Sequence, residues 1–206
     1  MSAPTRSLQV AILVFDEVEA LDLAGPFEVF TTASRMQQRT APEAPPVFEV
    51  NCIARTLNPI RARAGMAVIP NHSFADAPPI DVLIVPGGVV DQTMRCAETL
   101  AWIARVHPTT QITASVCTGA FLLAASGVLK SGPVTTHWED QADLQQQFPA
   151  LEVLNGVRWV NQERIVTSGG ISAGIDMSLH LVARLTSETL AKRTAHQMEF
   201  QWTRNT

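Results

Sequence analysis

Ile112-Thr113-Ala114-Ser115-Val116-Cys117-Thr118-Gly119-Ala120-Phe121-Leu122-Leu123 is the stretch whose reading decides the fold of this 206-residue chain. A β-type run ends at the cysteine, and a helix-type run begins immediately after it. Two residues away on either side stand Ser115 and Gly119, both small. A strand that turns directly into a helix needs small side chains there, because a larger Cβ would clash as the backbone doubles back. The spacing predicts a nucleophile elbow, with cysteine in the place serine takes in G-x-S-x-G hydrolases. Such a turn lifts the sulfur out of the sheet and sets it at a helix N-terminus, where the dipole and free N–H groups favour thiolate over thiol. The expected nucleophile is therefore the Cys117 thiolate.

Upstream, residues 8–15 form a near-continuous apolar run, as expected of a strand buried on both faces. Residues 16–23 read as a connection, and Gly25-Pro26 open a helix reaching about Met36, with Pro26 suited to its first turn. Residues 40–46 hold three prolines and read as an exposed loop. Residues 48–54 alternate as a strand, the segment ending at 67–70 reads as a short hairpin, and 81–85 is a buried strand closed by Pro86-Gly87-Gly88. Residues 97–106 are helical. Beyond the elbow, Ser126-Gly127 stops the helix. A short extended piece at 134–136 precedes a polar helix over 139–147, and 157–160 with 164–167 pair as a hairpin. Helices over 172–185 and 187–200 complete the chain. Strands alternating with helices imply an α/β fold, a mainly parallel sheet sandwiched by helices. Ligands bind beyond the C-terminal strand ends of such sheets. Phe15, Gly87 and Cys117 all fall at or just after strand ends, so they are expected on one side.

Composition narrows the function. The chain is expected to be one domain, 1–206, with residues 1–7 flexible, and a chain this long buries roughly 70% of its unfolded surface. Hydrophobic residues make up 46% and charged residues 17%, which suits a compact globular domain. The net charge of −4 provides no basic footprint for nucleic acid. No apolar run approaches the ~20 residues of a membrane span, and no signal-like cleavage pattern follows the first residues. The three cysteines, at 52, 96 and 117, form no C-x-x-C pair. The cytoplasm is the expected location. His72, His107, His180 and His196 lack metal-ligand spacing, so no metal is expected.

Several pieces then fit together in order: Asp16 to Phe30 with its acid-rich start, Val85-Pro86-Gly87-Gly88, Ser115 to Gly119, Thr135-Thr136-His137-Trp138, and Thr167 to Asp176. This set resembles the ThiJ/PfpI superfamily, the class I glutamine-amidotransferase-like domains of flavodoxin-like fold, and looks closest to its isocyanide hydratase branch. Leu21-Asp22-Leu23-Ala24-Gly25-Pro26 with Phe27-Glu28-Val29-Phe30 also resembles the N-terminal domain of AraC-type transcriptional regulators. Those carry a DNA-binding region after it, and the chain stopping at Thr206 favours a free-standing enzyme.

The resemblance implies a cofactor-independent hydro-lyase that converts an isocyanide to an N-substituted formamide through a thioimidate on Cys117. It implies Asp22 as the acid that delivers and recovers protons. Gly87 and Gly88, having no Cβ, would stabilise developing charge through their N–H groups together with that of Thr118. It also implies a small-molecule substrate, a homodimer, and no nucleic-acid or membrane partner. Two departures steer the assignment. Thr118 stands where the protease-like branch has histidine, which speaks against peptidase activity. Asp22 is one methylene shorter than the glutamate of the glyoxalase and deglycase branch.

Blander readings stand beside these. Asp22 also fits the role of a cap for a helix opening at Gly25-Pro26, but its place at the family's acid position favours the catalytic role. His137 either polarises the thiol or sits hydrogen-bonded in the structural shell. Cys52 and Cys96 read as structural or incidental, Gly169-Gly170 as an aid to close helix–sheet packing, and the four tryptophans as packing residues.

Overall fold

The computed structural model describes residues 6–205. Its centre is a seven-stranded sheet in the order β10-β11-β7-β6-β1-β2-β5. The strands are β1 (Leu8–Leu13), β2 (Phe48–Ala54), β5 (His72–Ser73), β6 (Val82–Val85), β7 (Ile112–Val116), β10 (Trp159–Gln162) and β11 (Ile165–Ser168). All neighbours are parallel except β10, which returns antiparallel to β11. The residues at the centre of the sheet explain the register. Val82–Val85 and Ile112–Val116 are buried throughout, as befits strands covered on both faces.

Seven helices complete the fold: α1 (Ala20–Gln38), α2 (Asp91–Met94), α3 (Ala97–Val106), α4 (Gly119–Ala125), α5 (Gln141–Gln147), α6 (Ser172–Leu185) and α7 (Glu188–Gln197). From β1 the chain steps one way to β2, and from β6 it steps the opposite way to β7. Right-handed crossovers then place α1 and α3 on opposite faces. Helices α1, α6 and α7 pack on one another, and α2, α3 and α4 form the second group. The strand order reverses between β1 and β6, which opens a crevice at their C-terminal ends. Two small pairs lie outside the main sheet. β3 (Ile60–Arg61) and β4 (Ala67–Val68) make an antiparallel hairpin, and β8 (Gly132–Val134) runs parallel to β9 (Leu151–Val153).

Most predicted elements appear close to their expected bounds, with one correction. The first helix opens at Ala20, five residues earlier than Gly25, and Pro26 lies inside it. The proline leaves the carbonyl of Asp22 without an N–H donor from position 26, yet the buried face from Asp22 to Met36 holds the helix against β2. Residues 1–5 of the segment expected to be flexible lie outside the described residues; Arg6, the first described, pairs with Asp81. Its guanidinium donates to both carboxylate oxygens of Asp81, at 2.6 and 2.7 Å. No described helix is long and apolar enough to cross a membrane.

The elbow depends on contact too close for any side chain. A Cβ on Gly119 would fall well inside the contact distance of the Val85 carbonyl oxygen, so β6 and the start of α4 meet backbone to backbone. We expect Gly119→Ala to destabilise the fold by at least about 2 kcal/mol, because rigid backbone rather than a flexible side chain must move. Urea denaturation monitored by circular dichroism measures this; an unchanged midpoint would contradict the packing.

Candidate active site

Cys117 has φ 56°, a left-handed conformation that places the thiol above the strand end instead of in the sheet. Its backbone is pinned on every side. The Cys117 N–H donates to the carbonyls of Ser168 and Gly169 at 3.2 and 3.3 Å, and the Thr136 hydroxyl donates to the Cys117 carbonyl at 2.8 Å. The sulfur-bearing residue is only 7% exposed, a buried thiol with a narrow opening.

Asp22 lies in the first turn of α1 and is fully buried. It does not cap the helix: Glu19 is the cap residue, and no side chain bonds there. Instead its carboxyl group accepts the Gly87 N–H at 3.2 Å on one oxygen and the Ile171 N–H at 3.0 Å on the other. The Cys117 thiol is near enough to act on its charge. Burial pushes the carboxyl up to about 6, against the pull of the two N–H groups. The negative charge of Glu19 adds to the rise. A carboxyl raised in the native state favours folding most when protonated. The stability it contributes is thus present below its ordinary value near 3.8 and lost as pH rises through about 6, roughly 3 kcal/mol at most.

Two influences act against the expected thiolate. Burial first, then the adjacent Asp22 carboxylate, push the Cys117 thiol far above the ordinary cysteine value, and Asp140 adds to the effect. The Thr118 N–H pulls the other way and loses. Burial and the mutual repulsion of the two groups thus oppose ionisation of both at once.

The oxyanion expectation also changes. The Gly87 N–H is held by Asp22, and the Gly88 N–H donates to the Thr118 hydroxyl at 2.9 Å. The same hydroxyl donates back to the Gly88 carbonyl at 2.9 Å. Neither glycine N–H is free for a substrate, because each already satisfies a buried acceptor. Gly88 has φ 138°, and a Cβ there would run into the Glu17 carbonyl. Its glycine permits the backbone bridge to Val18 that joins the loops after β1 and β6. Farther out, the β3–β4 hairpin clips onto the same β1 loop. Glu17 N–H donates to the Arg61 carbonyl, Arg63 N–H to the Val18 carbonyl, and Arg61 N–H to the Asp16 carboxylate, at 2.7, 2.9 and 2.8 Å.

His137 belongs to a neighbouring group. Its Nδ1 lies 3.4 Å from the Asp140 carboxylate and 3.7 Å from that of Glu139. Its ring packs on Gly170 where a side chain would otherwise stand. Trp138 beside it is 74% exposed, unlike the other tryptophans, so packing does not explain it. Cys52 is buried in β2, and burial alone pushes its thiol up to about 11. Cys96 sits at the start of α3 and accepts a hydrogen bond from the Thr99 hydroxyl. The residue that sequence reasoning missed is Ile171, a β-branched residue at φ 53° whose N–H reaches Asp22. The Gly169-Gly170 pair before it was the only sequence signal of a sharp backbone turn. Among the described residues no group of three His, Cys, Asp or Glu side chains is placed to hold a metal ion.

Comparison with known proteins shows the family and the fold. The DJ-1/PfpI family model matches residues 8–184. The isonitrile hydratase of Pseudomonas putida is 33% identical over 195 residues, 94% of this chain and 79% of that protein. The HTH-type transcriptional regulator GbdR of Pseudomonas aeruginosa is 25% identical over 95% of this chain, which spans only 52% of the regulator. A crystal structure of a ThiJ/PfpI family protein from Pseudomonas syringae superposes with a TM-score of 0.81 at 30% identity, covering 96% of this chain and 77% of that one.

The charge balance can be read directly. In wild type the pH midpoint for alkylation of Cys117 by iodoacetamide, followed by peptide mass spectrometry, is expected above the ordinary ~8.5 of cysteine. Asp22→Asn removes the neighbouring negative charge and is expected to lower that midpoint by about one unit or more. A midpoint that rises instead would mean that Asp22 does not repel the thiolate.

Proposed function

This chain belongs to the DJ-1/PfpI family, and we propose that it hydrates a small isocyanide to an N-substituted formamide, with Cys117 as nucleophile and Asp22 as proton carrier. The observation that carries this reading is the buried Asp22 carboxyl facing the thiol, raised to about 6. A group poised there accepts a proton at neutral pH and returns it with little energetic penalty either way.

In the proposed cycle the Asp22 carboxylate takes the thiol proton as sulfur attacks the terminal carbon of R–N≡C. Protonated Asp22 then gives that proton to the same carbon, leaving the thioimidate R–N=CH–S on Cys117. Water adds to the C=N carbon, one of its protons passing through Asp22 to the nitrogen. The C–S bond then breaks as the proton of the added hydroxyl passes through Asp22 to the sulfur, and R–NH–CHO leaves. The balance is R–NC plus water, with no oxidant, metal or organic cofactor. The Thr118 hydroxyl holds Gly88. The Gly87 and Ile171 N–H groups aim the carboxylate.

The surroundings support an organic substituent on the substrate. Leu21, Val89, Trp138 and Ile171 are exposed apolar residues adjoining Asp22, Gly88, His137 and Gly170 in the chain. The likeness to isonitrile hydratase supports the reaction class. In this reading the enzyme works in the cytoplasm as a homodimer.

The likeness to a transcriptional regulator favours a second reading, a small-molecule-sensing domain without turnover. A third is a glyoxalase- or deglycase-like use of the same thiol. Purified protein incubated with cyclohexyl isocyanide is expected to release the formamide, detected by chromatography, and to show a thioimidate adduct on Cys117 by mass spectrometry. Cys117→Ala is expected to abolish turnover, and Asp22→Asn to reduce it by at least about 100-fold, the scale of a positioned general acid–base. Equal inertness of wild type and Cys117→Ala, with ligand binding retained, would establish the sensor. Consumption of methylglyoxal instead would establish the third reading.

A further inference from the structure

A cleft of about 640 Å³ is lined in part by Gly88 and by Thr118, the residue that follows Cys117 in the chain. Its floor is apolar, with Val90, Met94 and Phe121. Its rim is not. Asp91 from α2, Asp140 from the turn before α5 and Asp143 from α5 all line it, and Arg95 is the single cation among the lining residues. Three carboxylates against one guanidinium leave a negative excess at the mouth. His137, packed against Asp140, is the other basic group nearby. Glu139 lies beside it and adds a further carboxylate. The field of this rim reaches the nucleophile, since Asp140 acts on the Cys117 thiol. Clefts lined by one sign of charge concentrate molecules of the opposite sign and exclude those of the same sign.

We propose that this cleft receives the substituent of the substrate and selects neutral or cationic groups over anionic ones, with Asp140 and Asp143 as specificity-determining residues. The identity of the substrate as an isocyanide rests on the reading above; the charge selection does not. A length of apolar wall followed by carboxylates suits a carbon chain that is uncharged or ends in an ammonium group. It opposes one that ends in a carboxylate, which would be brought against Asp91, Asp140 and Asp143 with Arg95 as the single guanidinium to offset them. The adjacent Asp22 adds to the exclusion when ionised.

The test separates charge selection from catalysis. Cys117 is alkylated by neutral iodoacetamide and by anionic iodoacetate, each rate being normalised to the same reagent on the urea-unfolded protein. The folded protein is expected to favour iodoacetamide by at least about threefold, a modest discrimination for partly solvated charges. Asp140→Asn/Asp143→Asn is expected to reduce that preference at least twofold. Molar salt is expected to do the same in wild type, because screening shortens the reach of the rim charges.

Hydration is then followed with isocyanoacetate and its methyl ester, which differ in the charge. Preference for the ester in wild type, weakened in the double variant, supports the proposal. A normalised alkylation ratio near one, or one that neither the variant nor salt moves, overturns it even if both isocyanides are hydrated. Discrimination in alkylation without discrimination in hydration also overturns it, since the substituent then sits elsewhere. Discrimination in alkylation with no isocyanide consumed keeps the charge-selective cleft and overturns the hydratase reading alone.

Discussion

A carboxyl group with no exposure and no cation among its hydrogen-bond partners is the constraint around which this site is built. Asp22 is held by two backbone N–H groups, with the Cys117 thiol nearby. Burying a carboxylate on those terms is costly unless the partners are fixed in advance. The fold fixes them from three directions. Gly87 comes from the end of β6, Ile171 from the turn into α6, and Cys117 from the elbow after β7. Ile171 adopts a backbone conformation costly for a β-branched residue, and the bond to Asp22 is part of what offsets it. The same burial that makes the group expensive makes it useful, because it brings the proton affinity into the neutral range.

The thiol is affected in the opposite sense to the usual expectation for an elbow cysteine. A helix start and a small-residue turn suggest a stabilised thiolate, and both are present. What decides the charge is the neighbour, since an anion beside a buried sulfur disfavours a second anion. Cys117 and Asp22 therefore influence one another's charge, and neither can be understood alone.

Much of this was legible in the chain. The run from Ile112 to Leu123 gave both the strand and the reversal, because small residues at 115 and 119 leave few other conformations. The buried strands at 82–85 and 112–116 and the helices at 97–106 and 172–185 follow from apolar runs and periodicity. The hidden parts are long-range. Nothing local at Pro26 says that the helix passes through it, since that depends on packing against β2 and β1. Nothing local at Gly87 and Gly88 says that their N–H groups are occupied, since the acceptors lie 65 and 30 residues away. Ile171 carries no side-chain signal, for its contribution is an amide. The same limit leaves the hydratase and regulator likenesses side by side, because both share the scaffold and differ in what the site is used for.

The β3–β4 hairpin, remote from the chemistry and only two residues wide on each side, has a consequence of its own. It grips Glu17 and Val18 through main-chain bonds and Asp16 through its carboxylate, just ahead of the turn that delivers Asp22. The Asp22 loop is thus splinted from outside by a flap that is itself pinned to the core only through Ile60 and Ala62, with Val68 packed on it. Drift in that flap alters how firmly the proton carrier is braced without touching any reacting group, so tuning of the site is spread over surface that a catalogue of catalytic side chains would leave out.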